Sequence, residues 1–224
     1  MQRTLLVMTV ALAFVSASAL AKEGKFSSLD LTSKTNQKLV DNQGRGFEGN
    51  HLKELPVGEQ FFAGVKFRVG DGLIQLGSRV LDKFPDKVTD ISIGKRAAQL
   101  HLLHATAFGG GPNQPGTDGY VADGTLIGEY LVRYEDKSTE TIAIVYGEDV
   151  RDWFYVDDEK EPSKGKVAWR GTNEFAPQVG AKLRLYVSSW KNPKPDQKIL
   201  SIDYISKKNE TAAAPFCLAI TLEE

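Results

Sequence analysis

Cysteine is almost absent from this 224-residue chain: Cys217 is the only one, so no internal disulfide can form. It lies in the apolar run Phe216-Cys217-Leu218-Ala219-Ile220, which predicts a buried small hydrophobe rather than a reactive thiol. Charge of one sign is missing too. The 28 Lys and Arg residues are interspersed with 29 Asp and Glu. With no basic stripe, nucleic acid and anionic lipid are poor partners. Beyond the first residues no apolar run is long enough to span a bilayer, and helical periodicity is nearly absent. The common signatures of catalysis are also missing. There is no Gly-x-Ser-x-Gly elbow, and Ser92-x-x-Lys95 and Ser188-x-x-Lys191 stand without companion motifs. The glycine-rich stretch from Gly109 to Gly119 lacks the Lys-Ser/Thr ending and following helix of a phosphate cradle, and reads as a connection between strands.

What the N-terminus does have is an export signal. Arg3 is followed by the apolar stretch Leu5 to Val15, broken only by Thr9, and Ala19-Leu20-Ala21 is a small-x-small cleavage site. Residues 1–21 are therefore expected to be a signal peptide. The remaining 22–224 should be an exported single domain, periplasmic, cell-surface or extracellular, with no membrane insertion after cleavage. Export without disulfides suits a bacterial envelope.

After the signal, the pattern is of strands. Tyr130, Val132 and Tyr134 share one face of Gly128 to Tyr134, with Glu129 and Arg133 on the other. The turn Glu135-Asp136-Lys137-Ser138 leads to Thr139 to Tyr146, which predicts a hairpin. Further runs are Phe61 to Val69, Leu73 to Leu76, Ala98 to Phe108, Lys166 to Arg170, Leu183 to Trp190 and Ile199 to Ser206. Phe216, Leu218, Ile220 and Leu222 predict a last strand with one face buried. Gly70-Asp71-Gly72 and the proline-bearing loop from Lys191 to Asp196 fall between runs. Short strands with Gly/Pro loops predict an all-β antiparallel sandwich. Residues 22–56 are weakly patterned and read as a strand plus extended loop packed on the main body.

Three groups of residues invite a functional reading. His101 and His104 have metal-ligand spacing only on a helix; on a strand they point to opposite faces, one into the core and one outward. Glu148, Asp149, Asp152, Asp157, Asp158, Glu159 and Glu161 form an acidic stretch that reads as a solvated loop, with structural calcium as its alternative. Otherwise no cofactor and no catalytic residue is expected. Trp153, Trp169 and Trp190, the only tryptophans, sit near predicted strand ends beside polar residues. Flat indoles stack on sugar rings while neighbouring Asp149, Arg151 and Asn173 would bond hydroxyls, whereas core or rim packing is the ordinary role of such tryptophans. Trp153 is the favoured ligand contact.

The stretch Asp123 to Tyr130, then Tyr134 to Ser138 and Ile144 to Trp153, resembles galactose-binding-like jelly-roll domains, among them carbohydrate-binding modules appended to bacterial glycoside hydrolases. Leu55 to Gly58, Phe62-x-Gly-Val65-x-Phe67 and Ile74-x-Leu76-Gly77 are similar to their opening strands. Asn192-Pro193 followed by Ile202 to Ile205 is similar to a late one. The likeness implies a jelly-roll sandwich with a sugar ligand held by loops, and assigns no individual residue. The chain is therefore expected to be a non-catalytic binding module for carbohydrate or envelope glycan. The alternatives are a structural or protein–protein interaction module of the envelope, then an unassigned hydrolase. Partly exposed indoles would favour the first, and buried ones with an exposed apolar patch the second.

Overall fold

The computed structural model describes residues 25–110, 120–208 and 211–224. Both the expected signal peptide and most of the glycine-rich stretch lie outside the described residues. Fourteen strands follow in order. The first five are β1 (Phe26–Ser28), β2 (Gln37–Lys38), β3 (Gly58–Phe62), β4 (Val65–Val69) and β5 (Gly72–Gln75). Next come β6 (Lys87–Lys95), β7 (Gln99–Ala107), β8 (Leu126–Tyr134), β9 (Thr139–Val145) and β10 (Phe154–Tyr155). The last are β11 (Lys166–Gly171), β12 (Lys182–Lys191), β13 (Ile199–Ser206) and β14 (Ala214–Glu223). The one helical turn among the described residues is a 3₁₀ turn at Ala176–Val179.

The protein is an all-β antiparallel sandwich. Its larger sheet runs β10-β12-β7-β14-β5-β2, with β1 added to β14 and β11 to β12. The smaller runs β6-β13-β8-β9. Alternation explains how they meet: Tyr130, Val132 and Tyr134 of β8 are buried while Arg133 is exposed. Tyr130 stacks on Tyr204 of β13 at 4.5 Å and reaches His104 of the larger sheet at 6.2 Å.

The final strand departs from expectation. β14 is buried on both faces along nearly its whole length. The reason is a third layer: the β3–β4 hairpin packs across it, and the Thr221 hydroxyl donates to the Lys66 carbonyl at 2.9 Å. That hairpin is itself a correction, because the run Phe61 to Val69 is two strands rather than one. It turns at Ala63 and Gly64, both at positive φ (50° and 85°), which suits the right-handed twist of the pair.

Residues 25–56 are woven into the larger sheet through β1 and β2, and Leu31, Leu39, Leu52 and Leu55 enter the core. Asn36 reinforces the attachment by imitating a strand. Its side chain donates to the Gln75 carbonyl and accepts from the Gln75 amide, at 2.9 and 2.8 Å.

Candidate functional site

The six residues singled out as ligand contacts do not converge. Trp153 is only 4 % exposed, stacked on Phe154 at 4.9 Å and edge-on to Phe216 at 5.8 Å. An indole so enclosed offers no face to a sugar, and its role is core packing. This corrects the preference for Trp153. Trp169 and Trp190 are half-buried against the core on β11 and β12. Trp169 lies so closely over Gly171 that a Cβ there would stand 2.1 Å from the indole.

Asn173 is buried as a brace. Its Oδ1 accepts from the Phe175 and Ala176 amides at 3.0 and 2.7 Å, capping the 3₁₀ turn. Its amide nitrogen donates to Asn50 Oδ1 and the His51 carbonyl. Asp149 closes its own turn by accepting from the Val145 amide at 2.8 Å. These two are engaged within the fold.

Arg151 is different. It is 3 % exposed, its Nη2 donates to Asp123 Oδ2 at 2.7 Å, and its guanidinium lies over the Tyr146 ring at 5.5 Å. Its Nε is buried with no partner among the described residues. Arg151 lines a cleft of 460 Å³, within the size range of small-ligand sites, together with Tyr120, Asp123, Val156, Glu159 and Lys160. The sequence singled out Arg151 but missed Asp123 and Tyr120, which lie some thirty positions away and meet it only through the fold.

Two ion pairs of unlike exposure contribute Asp123, Arg151 and Glu159 to the lining, with Arg184 behind it. The Asp123 side chain is 56 % exposed, so the Arg151–Asp123 pair opens to solvent. The Arg184–Glu159 pair is sealed, with 1 % of either side chain exposed, and Arg184 lies over the Tyr155 ring at 4.9 Å. Desolvation pushes the Glu159 carboxyl up, against the pull of Arg184. Asp152 is buried behind them and accepts from the Gly109 and Phe154 amides at 2.5 and 2.9 Å. Burial nevertheless raises its pKa to about 6.

The acidic stretch is thus dispersed rather than gathered. Glu148 pairs with Lys164, Asp157 with Lys182, Glu159 with Arg184 and Glu161 with Arg170. Among the described residues, no three His, Cys, Asp or Glu side chains are arranged to hold a metal ion.

The two histidines of β7 do face opposite sides, as strand geometry requires. His104 enters the inter-sheet core. The other face was expected to leave its histidine pointing outward, but His101, which takes it, is buried as well, 4 % exposed beneath the edge of Phe26 at 5.9 Å. The β1 strand, which brings Phe26, accounts for the difference. Cys217 is buried and its thiol is pushed up to about 12 by desolvation, in keeping with a packing role.

No family model, curated protein or solved structure matches this chain.

Proposed function

We propose that the protein is an exported binding module whose cleft at Arg151 takes a carbohydrate. The carrying observation is the exposed Asp123 carboxylate, held from behind by the buried Arg151 guanidinium at the mouth of the cleft. A carboxylate oriented in this way offers two oxygens that accept from neighbouring hydroxyls of a sugar, with Arg151 positioning it. Tyr120 and Val156 add apolar surface for a ring face, and 460 Å³ accommodates a mono- or disaccharide unit. Four acidic residues, Asp123, Asp157, Asp158 and Glu159, line the cleft against Arg151 and Lys160, which disfavours an anion and suits a ligand rich in hydroxyl donors. The resemblance to galactose-binding-like domains points the same way at the level of fold analogy.

A second reading, a protein-interaction module, draws on a separate observation. Val57 and Phe61 of the β3–β4 region are 56 % and 68 % exposed, and Trp153 is buried. Exposed apolar side chains on a hairpin are a docking feature.

A glycan array and a pull-down on insoluble polysaccharides distinguish the two, using the mature chain with Asp123→Ala and Tyr120→Ala beside it. Retention on a defined glycan, weakened at least about tenfold by Asp123→Ala, is expected from the loss of a charge-assisted hydrogen bond. A flat array with the intact chain overturns the carbohydrate reading. Both substitutions are at accessible positions, so thermal melting checks that the fold is retained.

A further inference from the structure

At the other end of β12 from the cleft, three side chains on neighbouring strands form a chain of hydrogen bonds. Ser189 of β12 is exposed, and its Oγ lies 2.7 Å from His101 Nδ1 of β7, directly opposite it in register. His101 Nε2 lies 3.0 Å from Glu223 Oε2 of β14. Gln99 Nε2 donates to the same carboxylate oxygen at 3.1 Å.

In the neutral imidazole the carboxylate orders the proton. An ionised carboxylate only accepts, so the single ring proton sits on Nε2. The Nδ1 lone pair is then free to take a hydrogen bond from the Ser189 hydroxyl. The hydroxyl is therefore polarised by a base, the base is oriented by a carboxylate, and the carboxylate is oriented by an amide. Phe26 covers the imidazole edge and Glu223 is half-buried, whereas Ser189 remains open to solvent. Lys191 follows two residues on, on the same face of the strand, exposed and with no ion-pair partner among the described residues.

We propose that Ser189, His101 and Glu223 form a nucleophile–base–carboxylate relay that cleaves esters on the outer face of the larger sheet. This goes beyond the binding function and is independent of the cleft. Ser189 Oγ bonds to the ester carbonyl carbon as its proton passes to His101 Nδ1. The carbon–alkoxide bond breaks and the leaving oxygen takes that proton, giving an alcohol and an acyl-Ser189 ester. Water, deprotonated by His101, then attacks the acyl carbon, releasing the acid and restoring the hydroxyl. Ser189 and His101 are the catalytic residues. Glu223 and Gln99 are positioning residues acting through the imidazole. Because Ser189 stands on an open face, the substrate is an ester that presents its carbonyl unshielded: a small acyl ester or an acyl group on the surface of a larger molecule.

The test uses the full mature chain with a fluorophosphonate and with p-nitrophenyl acetate, read by intact mass and peptide mapping. One phosphonyl adduct at Ser189 is expected, with Ser189→Ala unlabelled. His101→Gln should label about a hundredfold more slowly or worse, the usual loss for a general base. Glu223→Gln should shift the pH profile of labelling as well as its rate. If His101→Gln does not fold, Ser189→Cys replaces it, because buried Cys217 leaves a single reactive thiol. Iodoacetamide should then report an apparent thiol pKa of about 7 or lower, against about 8.5 for an ordinary cysteine. No adduct on Ser189 in the folded protein, equal rates for His101→Gln and the parent, or an unshifted Ser189→Cys profile would each overturn the relay.

Discussion

His104 and Ser188 are joined across β7 and β12 by a 2.8 Å hydrogen bond whose direction is fixed. The Ser188 hydroxyl donates to the Asp149 carbonyl at 3.1 Å, so it accepts from His104 Nε2–H. Nδ1 is the bare nitrogen, and it is buried without a partner among the described residues. A second proton there would face no acceptor among them. Desolvation accordingly lowers the His104 pKa to about 3.

An acid-sensitive stability follows. The folded ring refuses a proton that the unfolded chain binds near 6.5, so the His104 contribution is intact above 6.5 and is lost as pH falls toward 3. The slope is about 1.4 kcal/mol per pH unit while only the unfolded form is protonated. In His104→Gln this dependence should vanish, so urea denaturation should show the variant gaining about 1.4 kcal/mol per unit relative to the parent as pH falls from 6 toward 3. A stability difference that stays constant with pH would contradict the assignment.

Asp152 works in the opposite direction. Its folded pKa, about 6, lies above the ordinary 3.8, so its contribution is present at low pH and lost as pH rises from 3.8 through 6. Within that window it opposes His104, and the two flatten the parent's curve. Asp152→Asn surrenders one of the two amide bonds from Gly109 and Phe154 and lowers stability overall. Relative to the parent, however, its stability should climb by about 1.4 kcal/mol per unit between pH 4 and 6. Parallel curves for the two proteins would show that Asp152 is ionised throughout.

Two buried tyrosines on adjacent strands of the smaller sheet should respond in opposite ways to loss of their hydroxyls. Tyr134 donates to Asn192 Oδ1 at 2.5 Å, and Asn192 in turn donates to the Ala97 and Lys194 carbonyls. Tyr204 is packed against Tyr130 near the Cys217 thiol, and its hydroxyl makes no hydrogen bond of acceptable geometry. Tyr134→Phe should cost about 1–2 kcal/mol, whereas Tyr204→Phe should be neutral or stabilising by up to about 1 kcal/mol. Chemical denaturation measures both. Equal losses would mean that Tyr204 has a partner, such as a buried water.

Alternation made most of the sandwich legible. β7, β8, β9, β11, β12 and β13 lie where period-2 patterning puts them, because each long strand has at least one face against the core. β6 escaped notice because Asp90 and Gly94, both at positive φ, interrupt its run, and the Asp90 amide bonds Asp203 rather than the ladder. The double burial of β14 was hidden for a different reason. Nothing in Phe216 to Leu222 announces that β3 and β4, some 150 positions earlier, return to cover its second face. The site was less legible still. Arg151 stood out as a charge beside a tryptophan, but its distinction is burial, and burial belongs to the tertiary structure. Trp153 attracted attention by residue type, although large aromatics fill cores more often than they line ligands. Ser189, His101 and Glu223 come from three separate strands, and only the register of β12, β7 and β14 brings them together.

The sealed Arg184–Glu159 pair carries the last prediction. Its charges are out of water, so each depends on the other. Arg184 Nε also donates to the Asp152 carbonyl at 3.3 Å, and its guanidinium lies between the Tyr155 and Tyr186 rings. Glu159→Gln leaves the guanidinium buried with a weaker acceptor, and Arg184→Met leaves a buried carboxylate without its guanidinium donor. The first should cost about 2–3 kcal/mol and the second about 3–5 kcal/mol, because an uncompensated buried charge is the dominant penalty. In Arg184→Met the carboxyl, already pushed up by burial, loses the guanidinium that opposes the rise, so that variant should regain more stability than the parent on acidification. The double variant Arg184→Met/Glu159→Leu removes both charges and should recover most of the loss. Strict additivity of Arg184→Met and Glu159→Leu, the latter also made singly to complete the double-mutant cycle, would show that the pair is not a unit. The cleft would then rest on Arg151 and Asp123 alone.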